Sequence, residues 1–132
     1  MERFAPENYV FSLVKRAKSF VHAGRGIWVF LKTTHNAWLH LAILAAVLFL
    51  GLYFDITRTD WLFVIFAAGQ VLTAEAFNTA IEIDINLTSP DYHPHARDTK
   101  DVAAGAVLIS AIMAAMVGLV IFVPHVAGLF TS

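Results

Sequence analysis

Apolar residues dominate three long runs of the chain, and polar residues gather in clusters between them. The runs cover about 37–54, 61–80 and 102–127. A helix crossing a hydrocarbon core of about 30 Å needs about 20 mostly apolar residues. Each run therefore predicts a spanning helix, the first extended by roughly a turn. A short link over 55–60 joins the first two and predicts a helical hairpin. The link over 83–101 is longer and polar, with Ser89-Pro90 and Pro94 as breakers. Ahead of the first run, residues 8–32 repeat with helical periodicity. Val10, Leu13, Val14, Ala17, Phe20, Val21, Ile27, Trp28 and Leu31 fill one arc, and Lys15, Lys18, His22 and Arg25 a neighbouring one. Such a pattern predicts an amphipathic helix lying on the bilayer surface, the alternative being a helix packed on the bundle. The expected architecture is an all-α membrane protein of one domain, 1–132, with a surface helix over 8–33 and spans over 36–55, 60–86 and 97–128.

Composition agrees with that pattern. Of 132 residues, 58% are apolar and 14% charged, and the mean hydropathy is +0.68. A soluble domain of this size could not hide so much apolar surface. A net charge of −1 gives no case for a nucleic-acid partner. Without cysteine there is no disulfide framework, thiolate metal site or cysteine nucleophile. The first thirty residues show no signal-peptide pattern. Six of the nine basic residues, Arg3, Lys15, Arg16, Lys18, Arg25 and Lys32, precede the first span, and Arg97 and Lys100 lie in the second link. The positive-inside rule then puts the N-terminus and the second link in the cytoplasm.

The stretch AEAFNTAIE, residues 74–82, closes the second apolar run yet carries two carboxylates. Each costs roughly 2.5–3.5 kcal/mol at mid-membrane and less near the interface. On a helix, Glu75, Asn78, Glu82 and Asn86 fall within about a quarter of the circumference, with Thr79 at the border. Asp84 falls nearly opposite. One polar stripe thus climbs from about two turns inside the membrane to the cytoplasmic surface. Pairing with Arg or Lys of neighbouring helices would explain it without chemistry. The functional reading is a metal or acid–base site, because intramembrane carboxylates sharing one face mark function. Carboxylates open to cytoplasmic water can hold Mg²⁺ together with nucleotide phosphates. The deeper one, Glu75, is placed to take a proton from a substrate hydroxyl. Arg97, Lys100 and Asp101 share one side of a helix starting near Ala96, where basic groups could hold polyphosphate; the plainer reading is positive-inside anchoring. No Walker A, dinucleotide or protein-kinase signature is present.

The run EAFNTAIE, Glu75 to Glu82, followed by YHPHARDTKDVAAGAVL, Tyr92 to Leu108, resembles the small prokaryotic integral-membrane lipid kinases, the diacylglycerol kinase and undecaprenol kinase family. The order of elements is similar too, from about Phe11 onward. The resemblance implies transfer of the γ-phosphate of Mg-ATP to the hydroxyl of a membrane lipid, by a homotrimer with sites shared between protomers in the bacterial inner membrane. It implies Glu75 as general base, Asn78 in the catalytic cluster and Glu82 on the divalent ion. It places Lys100 and Asp101 at the nucleotide and includes His93 in the signature. Glu82, His93, Lys100, Asp101 and Arg25 make up the expected nucleotide-binding set. Two positions depart from the family. Thr34 stands where a metal-holding glutamate is usual, and Asn86 where an aspartate is usual; both are expected as neighbours of the metal and nucleotide. The wording NTAIE and KDVAAGAVL looks closer to the undecaprenol branch. Two other functions remain open at this point: a family member that has lost catalysis, and a small channel or transport subunit with a carboxylate-lined pore.

Overall fold

The computed structural model describes residues 12–131. Its helices are α1 (Leu13–Thr33), α2 (His35–Tyr53), α3 (Arg58–Thr88) and α4 (Pro94–Gly128). The part of the expected surface helix before residue 12 lies outside the described residues. Helices α2, over Asn36–Tyr53, α3 and α4 are long and apolar enough to cross a membrane. The chain is a multi-pass membrane protein.

Helices α3 and α4 have 31 and 35 residues. At 1.5 Å rise per residue they measure about 46 and 52 Å, well beyond a core of about 30 Å. The surplus lies at the end away from the hairpin. Most of the polar stretch over 83–101 is therefore helix emerging from the apolar layer, and only residues 89–93 link α3 to α4. Pro94 does not break this stretch. It opens α4 at the first helical position, where its missing N–H costs nothing, and Nδ1 of His93 caps the helix by accepting from the His95 N–H at 3.2 Å.

The hairpin between α2 and α3 has sharp stop and start signals. Asp55 has φ 51°, a left-handed conformation that Asp tolerates better than most residues. Its N–H reaches the Leu52 carbonyl at 3.4 Å and the Ile56 N–H reaches Gly51 at 3.2 Å, the paired bonds of a Schellman stop. Thr57 then starts α3 with a capping box, its hydroxyl accepting from the Asp60 N–H and its own N–H donating to the Asp60 carboxylate at 3.1 Å.

Gly51 allows this corner to close. A Cβ there would lie 2.6 Å from the Trp61 ring and 3.1 Å from Ile56 Cδ1, whereas one at Gly69 would meet nothing within 4 Å. Overpacking of that kind costs about 1–3 kcal/mol, against about 1 kcal/mol of helix propensity gained. Gly51→Ala is thus expected to lower the thermal midpoint in detergent, while Gly69→Ala holds or raises it. Equal shifts for the two would contradict the packing.

Helix α3 packs most extensively on α4. Its buried residues Val64, Val71, Glu75 and Thr79 recur at intervals of seven and four, and α4 buries small residues at Ala103 and Ser110. Small side chains let helix backbones approach closely in a membrane, where hydrophobic exclusion does not drive helices together. At the hairpin end Ile56, Val64, Ile121 and Phe122 form a buried cluster, with Val47, Phe54, Trp61 and Val117 against it. Helix α1 makes slight contact with α2 and α3, and Leu13, Val14, Phe20, Val21, Ile27 and Trp28 stay exposed along it.

Candidate active site

One face of α3 carries Glu75 inward while Glu82 and Asn86 reach the exposed side. Glu75 is the most buried large side chain described, at 1% exposure. Its Oε1 lies 2.9 Å from Nε2 of His40 on α2. The sequence pattern singles out neither His40 nor this pairing. A signal was present, since His40 is an ionisable residue inside an otherwise apolar run.

A second chain of hydrogen bonds fixes the backbone around Glu75. The Thr79 hydroxyl donates to the Glu75 carbonyl at 2.9 Å. A hydroxyl has one proton, so in the bond between Thr79 and Thr34 the donor is Thr34. Thr34 is both the last cap of α1 and the first of α2. At the position where the resembling family has a glutamate, this chain has a clasp joining the α1–α2 corner to α3.

Asn78 is half-buried. Its amide N–H donates to Glu82 Oε1 at 3.3 Å, and its Oδ1 is buried without a partner. Lys100 of α4 donates across to Asn86 Oδ1 of α3 at 3.2 Å. Asn86 accepts this bond without cancelling the ammonium charge, as an aspartate would. Asp101 pairs with Arg97 at 3.5 Å on the exposed side of α4. Helix α3 stays wound through Thr88, whose hydroxyl bonds the Asp84 carbonyl. Asp84 is therefore held on its own side of the helix and cannot replace the missing aspartate. His93 is exposed at the start of α4. Arg25 is exposed on α1, nine residues before Thr34, about 14 Å along the helix, and one chain does not bring it to the stripe. Among the described residues, no three His, Asp or Glu converge as a ready-made metal cage.

The expected stripe is thus divided. Glu75 faces the interior with His40, and Asn78 and Glu82 form a second group nearer the aqueous end. Glu75 and Glu82 are separated by seven residues, about 10 Å of helix rise. Two ligands of one Mg²⁺ at 2.0–2.1 Å from the ion lie within about 4 Å of each other. In the structure the two are turned apart, Glu75 buried against His40 and Glu82 exposed beside Asn78.

Between α2, α3 and α4 lies a groove of about 270 Å³, walled by residues such as Ile43, Leu44, Val71, Leu72 and Ala115, with His40 as its ionisable lining residue. The buried carboxylate–imidazole pair of Glu75 and His40 thus adjoins an apolar groove through His40.

Residues 21–122 match the sequence family described as prokaryotic diacylglycerol kinase. The chain belongs to that family. Among curated relatives, an undecaprenol kinase of Bacillus subtilis (strain 168) is 41% identical over 107 residues, covering 81% of this chain and 87% of the relative. A diacylglycerol kinase of Synechocystis sp. is 43% identical over 60 residues, 45% of this chain and 34% of its own. No solved structure matches the chain. Family membership gives no support to the channel reading of the carboxylate stripe.

Proposed function

We propose that the protein is an ATP-dependent lipid kinase of the bacterial inner membrane, with Glu75 as general base. The observation that carries the site assignment is the buried Glu75–His40 pair at 2.9 Å, with His40 also lining the apolar groove. A lipid chain lying in the groove would bring its hydroxyl to the only station on this face where a carboxylate is kept from bulk water. The N-terminus and the α3–α4 link face the cytoplasm, because the basic residues cluster there. Helix α1, with its row of exposed apolar residues, lies on the cytoplasmic membrane surface.

The donor set fits a hard cation. Glu82 supplies an exposed carboxylate, and Asn78, whose amide N–H donates to it, carries a buried oxygen without a partner; Mg²⁺ is usually held by one or two carboxylates together with substrate phosphates. When bound, the ion neutralises phosphate charge during transfer. Lys100, uncancelled by Asn86, adds positive charge at the same end, with His93 and Asp101 in the nucleotide-binding set; Arg25, which lies away from the stripe on one chain, would join that set only from a neighbouring chain. Exposure of Glu82 and Asp101 on a single chain agrees with sites completed by a neighbour in a homotrimer. With Thr34 committed to Thr79, the site relies on fewer acidic ligands than the resembling family has.

The relative covered over most of its length is named an undecaprenol kinase, and we assign the long-chain polyprenol as acceptor. The test is transfer of labelled phosphate from ATP in mixed micelles, with undecaprenol and diacylglycerol offered separately. Label in undecaprenol is expected, from a particle with the mass of three chains. Label in diacylglycerol alone would overturn the acceptor, and label in neither would overturn the kinase reading for this chain.

A further inference from the structure

We propose that His40 is a positioning residue for phosphoryl transfer, holding Glu75 Oε1 so that Oε2 is left to accept the substrate proton. The inference rests on the assignment of Glu75 as base. Three observations support it. The Nε2–Oε1 distance is 2.9 Å, and His40 is 19% exposed against 1% for Glu75. The contact joins helices 35 residues apart in sequence, so it holds only when α2 and α3 are docked. The backbone on the Glu75 side is itself fixed, through Thr34, Thr79 and the Glu75 carbonyl.

A glutamate side chain has three rotatable bonds and, unpartnered in an apolar setting, has no reason to keep one geometry. An Nε2–H donor, present in the imidazolium and in one neutral tautomer, selects a rotamer by occupying one oxygen. The remaining oxygen is the one available to a hydroxyl. In the transfer, the lipid O–H bond breaks and its proton passes to Oε2. The lipid oxygen bonds to the γ-phosphorus as the bond to ADP breaks. His40 neither gives nor takes a proton in this step. Because it also lines the groove, it links the seat of the lipid chain to the orientation of the base.

Transfer kinetics in micelles test this with His40→Leu, His40→Gln, His40→Asn and Glu75→Gln. Misplacing a catalytic group by about 1 Å can lower rate about 100-fold. His40→Leu is expected to lower kcat by about that factor, with KM for Mg-ATP changed less than about twofold. His40→Gln, whose amide reaches about as far as Nε2, is expected to recover kcat to within about tenfold of the wild type. The shorter His40→Asn is not. His40→Leu combined with Glu75→Gln is expected to be no slower than Glu75→Gln alone, since the two act as a unit. Wild-type kcat in His40→Leu would overturn the inference, as would equal rates in the Gln and Asn variants, a comparison that decides the matter even if the Leu variant does not fold. Full activity in Glu75→Gln would instead overturn the assignment of the base.

Discussion

Glu75→Gln is expected to lower kcat for lipid phosphorylation by about 10²–10⁴-fold, the range a general base contributes, while affinity for Mg-ATP stays near that of the wild type. The loss corresponds to roughly 3–5 kcal/mol of activation free energy. The substitution keeps the side chain's shape and its hydrogen bond with His40 but removes a carboxylate able to take a proton. Nucleotide affinity should survive because Glu75 is buried against His40, turned away from the exposed Glu82. Single-turnover kinetics with labelled ATP, alongside nucleotide binding at equilibrium, check both halves. A variant that still transfers phosphate at the wild-type rate would remove Glu75 from the chemistry. One that loses nucleotide instead would make it a metal ligand.

The three spans are legible in the sequence because lipid solvation forces long apolar runs, and no soluble helix of this chain's size would need them. The ends of the helices are less so. Residues 83–101 read as a polar link entered by spans ending at 86 and starting at 97, yet α3 runs on to Thr88 and α4 already starts at Pro94. Past the apolar layer, a helix has no reason to remain apolar, and composition alone cannot separate it from a loop. The cap chemistry at Thr57–Asp60 and at His93-Pro94 marks the true starts of α3 and α4. These signals are local and sharp, whereas the hydropathy of a run is neither.

The polar face of α3 is likewise legible as a face but not as an arrangement. Periodicity places Glu75, Asn78, Glu82 and Asn86 within one quarter-turn. It cannot show that Glu75 turns to α2, or that Asn78 turns to Glu82 and Asn86 to Lys100. Those partners come from other helices or another turn, and their choice depends on how closely α3 approaches its neighbours. Small residues on α4 set that approach. Thr34 illustrates the same limit. As a missing glutamate it reads as a lost ligand, while its contact with Thr79 gives it a structural task that only the docked α1–α2 corner reveals.

Glu82→Gln should act on the nucleotide and not on the proton. The variant keeps an oxygen next to Asn78 but loses the charge that a hard divalent ion prefers. Measured in a Glu75→Gln background, where ATP is not consumed, Mg-ATP binding is expected to weaken by at least about tenfold. Substitutions around metal sites commonly cost 10–100-fold. In the otherwise native enzyme, the Mg²⁺ concentration for half-maximal rate should rise by a similar factor, with little change in kcat at saturation. The site's reserve against this loss is small. Thr34 is tied to Thr79, Asn86 to Lys100, and Asp84 is held on the far side of α3, so no second carboxylate of the same stripe stands ready to take the ion. An unchanged Mg²⁺ requirement in Glu82→Gln would move the metal away from the Asn78–Glu82 pair.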